Sequence, residues 1–126
     1  MMRRLALLLC SALLMLTACG STSEGGACNT VGFLCADPTA ALECKGGVWV
    51  KLPCRGAGGC KRETDTVRCD MTGNKEGDNC ASTAQGRGLC TDDMKGTLEC
   101  REGKLVKTNT CGRSCTIMGD QVICSP

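Results

Sequence analysis

Leu42-Glu43-Cys44-Lys45-Gly46-Gly47-Val48-Trp49-Val50-Lys51 and Leu98-Glu99-Cys100-Arg101-Glu102-Gly103-Lys104-Leu105-Val106-Lys107 follow one pattern. In each, a run with β-propensity meets a second run across a break that contains glycine. Glycine accepts the positive φ of a tight turn, so each stretch reads as a β-hairpin. With Gly46-Gly47 and Glu102-Gly103 as the turns, Cys44 falls opposite Trp49, and Cys100 falls opposite Leu105. Each cysteine then shares a sheet face with a large apolar residue.

The similarity extends outward from these hairpins. Twelve of the fourteen cysteines form two successive sets of six. The first is Cys28, Cys35, Cys44, Cys54, Cys60 and Cys69. The second is Cys80, Cys90, Cys100, Cys111, Cys115 and Cys124. The intervals are 6, 8, 9, 5 and 8 residues in the first set and 9, 9, 10, 3 and 8 in the second. Glu24-Gly25-Gly26-Ala27-Cys28 also matches Glu76-Gly77-Asp78-Asn79-Cys80. Shared landmarks with small insertions between them indicate a duplicated unit with variable loops.

Two further hairpins are legible. Thr116-Ile117-Met118, Gly119-Asp120 and Gln121-Val122-Ile123 read as strand, turn and strand. That register places Cys115 opposite Cys124, about 4.5 Å apart at Cα if the pair is not hydrogen-bonded. Cys60 and Cys69 stand in the same relation around Thr64-Asp65. The geometry allows each hairpin to be closed by its own disulfide. Cystines linking different strands compete with this, and six cysteines allow fifteen pairings that sequence does not choose among.

Composition agrees with a stapled fold. Aromatics are confined to Phe33 and Trp49. Units of this size bury too little apolar surface to fold on a core alone, and disulfides are the usual remedy. The expected fold is small, disulfide-rich and mainly β. It comprises two tandem modules of short hairpins with no sizeable hydrophobic core and no helix beyond the leader.

The amino terminus gives location. Met1-Met2-Arg3-Arg4 is a short basic start, and Leu5 to Leu16 is almost wholly apolar. The run falls short of the roughly 20 residues a spanning helix needs, so it reads as an export signal. Cys10 lies inside that signal. Leu16-Thr17-Ala18-Cys19 resembles the lipobox of bacterial lipoproteins. The resemblance implies cleavage between Ala18 and Cys19, a diacylglycerol on the Cys19 thiol and an acyl chain such as palmitate on the new amino terminus. Several chains anchor stably where one does not. Gly20, rather than Asp, follows the cysteine, which in two-membrane hosts goes with sorting to the outer membrane.

The organisation read from these features is a signal over 1–18 and a lipidated tether over 19–27. Module one spans 28–69, a polar linker 70–79 and module two 80–126. Export carries the chain into oxidising surroundings, so all twelve remaining cysteines are expected as disulfides. Loss of Arg3 and Arg4 brings Lys+Arg from 15 to parity with the 13 Asp+Glu, leaving no basic excess for nucleic acid.

Catalytic groups are sparse. The chain has no histidine, which removes the usual partner of a nucleophilic Ser or Cys. Cys111-x₃-Cys115 is not a Cys-x-x-Cys redox pair, and its counterpart Cys54-x₅-Cys60 differs in spacing. Cysteines held in disulfides do not bind zinc. Asp70, Thr72, Asn74, Glu76 and Asp78 alternate like ligands of a calcium loop. However, Lys75 and Ala81 stand where such a loop has its turn glycine and its bidentate Glu. No metal or cofactor and no enzymatic activity are expected. Cys-Lys-Gly-Gly-Val-Trp-Val is loosely similar to chitin-binding peritrophin-type modules, which implies a sugar-stacking role for Trp49 and a polysaccharide ligand. Leu105 at the corresponding place favours core packing instead.

Taken whole, the chain resembles the small cysteine-rich lipoproteins of myxobacteria and their relatives. The resemblance implies a non-catalytic envelope protein, held to the membrane by its lipid and acting through a protein partner or in envelope structure. Carbohydrate binding through Trp49 is the alternative.

Overall fold

The computed structural model describes residues 22–126, so the lipobox positions Ala18 and Cys19 and the signal over 1–18 lie outside the described residues. Among the described residues no helix is long and apolar enough to cross a membrane.

The fold is small, disulfide-rich and mainly β. In the first half, strands β1 (Phe33–Asp37), β2 (Ala40–Lys45) and β3 (Val48–Pro53) form an antiparallel sheet in that order. Strands β4 (Cys60–Glu63) and β5 (Thr66–Cys69) form a separate hairpin. The second half repeats this order of elements. Strands β6 (Gly88–Cys90), β7 (Gly96–Arg101) and β8 (Lys104–Thr110) make a three-stranded sheet, and β9 (Cys115–Met118) with β10 (Gln121–Cys124) make a hairpin. The one helical element among the described residues is a 3₁₀ turn over Ser82–Ala84.

The hairpin registers follow from the turns. Cys44 pairs with Trp49 and Cys100 with Leu105, across Gly46-Gly47 and Glu102-Gly103. Gly46 and Gly47 have φ of 56° and 82°, the left-handed values that a tight primed turn requires. The last hairpin pairs Met118 with Gln121, Ile117 with Val122 and Cys115 with Cys124. The edge strands β1 and β6, which pair with β2 and β7, carry little periodic signal in the sequence.

Six disulfides connect these pieces in a pattern common to the two halves. Cys28 is bonded to Cys44, Cys35 to Cys60 and Cys54 to Cys69. Cys80 is bonded to Cys100, Cys90 to Cys115 and Cys111 to Cys124. In each set the first cysteine joins the third, the second the fifth and the fourth the sixth. The hairpin-closing pairing is therefore not the one formed. Cys60 and Cys69 sit opposite each other in register, as do Cys115 and Cys124, yet each bonds elsewhere. A hairpin is already closed by its ladder, whereas a bridge from β4 to β1 fastens the hairpin onto the sheet. Bridges that close longer loops also restrict the unfolded chain more.

Sulfur supplies much of the interior. One buried cluster is Ala41, Leu52, Cys54 and Cys60, a second is Cys80, Leu98, Cys100 and Leu105, and a third is Cys90, Cys111 and Cys115. The close approach of loop to sheet depends on Gly59. A Cβ there would stand 2.1 Å from the Pro38 carbonyl oxygen, which accepts the neighbouring Cys60 N–H at 2.8 Å.

Candidate functional site

The two halves meet along a polar seam, and the seam shapes a groove. Glu43, on β2, is 4% exposed. Its carboxylate accepts the Ser82 N–H, 3.1 Å at the closer oxygen, and also the Ser82 hydroxyl. Lys45 lies 3.3 Å from the same carboxylate and donates to the Cys80 carbonyl at 3.1 Å. Ala81, between these contacts, packs on the Ala41–Leu52 cluster.

Asn74, Asp78 and Asn79, within the polar stretch 70–79, make side-chain contacts with the first half. Asn74 is fully buried. Its Oδ1 accepts the Arg55 N–H at 3.1 Å, and its amide donates to the Pro53 carbonyl at 2.8 Å. The Arg55 guanidinium forms a two-pronged pair with Asp78 at 2.7 and 2.9 Å. That pair holds the Asp78 carboxyl below its ordinary value and raises Arg55 above its own. Asn79 donates to the Lys51 carbonyl at 2.8 Å. These partners are distant in sequence, so no local pattern announces them.

Three members of the calcium-like alternation have partners within the protein. Asp70 accepts N–H bonds from Gly58 at 2.9 Å and Thr72 at 3.0 Å, which lower its pKa. Asp78 is taken by Arg55, and Asn74 faces the first half. Among the described residues no group of three or more His, Cys, Asp or Glu side chains could hold a metal ion.

Alongside the seam runs a groove of about 510 Å³. Arg55, Cys69 and Met71 line it from one side, and Ala84, Arg87 and Leu89 from the other, with Met94 and Ile117 at its margin. Met94 and Ile117 are 43% and 46% exposed, and Met118 at the tip of the last hairpin is 63% exposed. Methionine adapts its flexible, polarisable side chain to varied apolar surfaces. Cys69, Cys90 and Cys100, each held in a disulfide, are among the residues that line it.

Trp49 stands apart from this groove. It is 9% exposed, pairs with Cys44 and exchanges backbone hydrogen bonds with Gly25 and Gly26 at 2.9 Å. Leu105 in the second sheet is 1% exposed, in the same register with Cys100. Stacking on a sugar requires an open ring face, and Trp49 is buried at its register position opposite Cys44. The groove was not legible in the sequence because its walls come from segments far apart in the chain. The one available hint was the group of surface methionines. Compared with known proteins, the chain matches no family model, no curated protein and no solved structure.

Proposed function

We propose that the chain is a non-catalytic lipoprotein, anchored through Cys19 to the outer membrane of a bacterial envelope. In this reading its two halves are copies of one six-cysteine module, and it acts by holding a protein partner. The lipobox-like Leu16-Thr17-Ala18-Cys19 supports the anchor. The common element order and disulfide pattern support the duplication.

The single observation that carries the binding role is the groove between the halves. It presents Met71, Leu89, Met94 and Ile117 on a cystine frame, next to Arg55 and Arg87. Exposed apolar residues gathered beside a concave surface mark interaction sites more often than scattered ones do. The chemistry fits an extended peptide segment of another envelope protein that carries an apolar anchor side chain.

Site-specific photocrosslinking in native membranes tests this reading. A photoreactive residue in place of Met94 should give a discrete heterologous adduct, and one in place of the exposed Arg62 should not. Equal labelling from both positions, or none from position 94, removes the groove from the proposal. The anchor is tested separately by Cys19→Ser, which should abolish lipid labelling and membrane retention. Unchanged labelling would defeat the lipobox reading.

A further inference from the structure

The clasp that joins the halves has a second, unfilled version. Glu43 sits between Phe33 and Val50 in its sheet, and Glu99 holds the corresponding place between Gly88 and Val106. Lys45 pairs with Glu43, and Arg101 pairs with Glu99 at 2.9 Å. The Glu43–Lys45 pair grips the Cys80 carbonyl and the N–H and hydroxyl of Ser82. The Glu99–Arg101 pair grips nothing beyond itself among the described residues, and its side chains are 32% and 56% exposed, against 5% for Glu43.

The gripped segment also has a counterpart. Cys80 is bonded to Cys100 and donates its N–H to Gly103 at 2.9 Å, while Cys28 is bonded to Cys44 and donates to Gly47 at 2.9 Å. Two residues beyond Cys80 is Ser82, and two beyond Cys28 is Thr30. Both offer an N–H and a hydroxyl, and Thr30 is exposed. The intervening residues match their surroundings. Ala81 rests on Ala41 and Leu52. In the second sheet the corresponding ground is polar, with the Thr97 and Thr108 hydroxyls 2.8 Å apart, and the residue before Thr30 is Asn29.

The geometry points to a head-to-tail contact between copies of this chain, in which Glu99 and Arg101 of one copy clasp Cys28–Thr30 of the next. The inference rests on reading the two halves as copies of one module. It is independent of what occupies the groove. A contact between unlike surfaces leaves one of each surface free on every pair, so further copies add head to tail, as an open row or a ring. The intermolecular clasp lacks counterparts of the Arg55–Asp78 pair and of Asn74, because Gly26 stands where Asp78 would and Gly112 where Arg55 would. It is therefore weaker than the internal seam, and the two-dimensional concentration of anchored chains favours it.

The test uses the full-length chain in its membrane, with a photoreactive residue replacing Val106, the register partner of Glu99. Illumination should give a ladder of chain-only adducts, with the far end of each link at residues 28–32 of another copy. Glu99→Lys should cut the ladder about tenfold or more. Adding Thr30→Glu to that variant should restore it by setting a carboxylate opposite the ammonium introduced at position 99. Retained disulfides in both variants, checked by intact mass after alkylation without reductant, exclude misfolding as the cause. Links joining Val106 positions to each other, adducts to other proteins alone, no adducts, or a ladder indifferent to Glu99→Lys would each overturn the contact. A disulfide map that differs between the halves would instead remove the duplication on which the inference rests.

Discussion

Glu43 and Ser82 are joined by hydrogen bonds across 39 residues of sequence, from the middle of one sheet to the start of the other half. The contact is part-buried, with Glu43 inside and Ser82 at the surface, and it uses both donors of Ser82. It turns two small cystine-framed units into one surface with a groove along it. Replacing Glu43 by Ala leaves the Ser82 donors and the Lys45 ammonium without their acceptor, and the expected loss is about 1–3 kcal/mol. Denaturation with disulfides intact should show that loss, and the Ser82 amide should lose its protection from hydrogen exchange. An unchanged Ser82 amide would mean that the seam does not persist in solution.

Asn74 presents a second, separable test. Its side chain serves the Arg55 N–H and the Pro53 carbonyl in a fully buried position. Asn74→Ala should cost about 1–3 kcal/mol, because the hydrogen bonds to the Arg55 N–H and the Pro53 carbonyl are lost together with the buried side chain that makes them. Asn74→Asp keeps the acceptor but loses the donor to Pro53, and should also destabilise. Stability equal to the parent chain in both variants would contradict the burial of this side chain.

Acid should loosen the seam. Asp78 titrates below its ordinary value in the folded chain, first because of the Arg55 hydrogen bond. Asp70 is lowered mainly by the Gly58 N–H, and Asp37 and Asp93 by bonds to Thr39 and Thr91. For carboxyls depressed on folding, the stabilisation is complete above the unfolded value of about 4 and is lost as pH falls through the folded pKa. The melting temperature should therefore hold steady near neutrality and drop below about pH 4. Asp78→Asn should flatten part of that drop. A melting temperature constant from pH 7 to 2 would contradict it.

Trp49 and Leu105 occupy matching places against their cystines, one 9% and the other 1% exposed. Trp49→Ala should cost about 3–5 kcal/mol through the cavity it leaves. Trp49→Leu, the side chain used in the second sheet, should cost distinctly less. If either variant removed binding to a polysaccharide while leaving stability unchanged, the packing role would be wrong.

The hairpins were readable because their signals are local. Gly46-Gly47, Glu102-Gly103, Thr64-Asp65 and Gly119-Asp120 fix four turns, and period-two pairing outward from each gives the observed partners. The shared register position of Trp49 and Leu105, each opposite a cysteine, was readable from the matching hairpins. The partners of Glu43, Arg55 and Asn74 were not readable, since nothing near those residues encodes a contact across the seam. The burial of Asn74 runs against its surroundings of Asp, Thr, Gly and Lys, which read locally as solvated chain. The sulfur pairing lay beyond local signals for the same reason. Register brings Cys60 to Cys69 and Cys115 to Cys124, but the stacking of hairpin on sheet brings a different sulfur closer to each.

The cystine frame underlies the fold, the groove and the correspondence between the halves, and a disulfide map tests it most directly. Proteolysis of the unreduced chain followed by mass spectrometry should yield peptides joining Cys28 to Cys44, Cys35 to Cys60 and Cys54 to Cys69. It should equally yield Cys80 to Cys100, Cys90 to Cys115 and Cys111 to Cys124. Peptides joining Cys60 to Cys69 or Cys115 to Cys124, or a free thiol among these twelve, would contradict the frame.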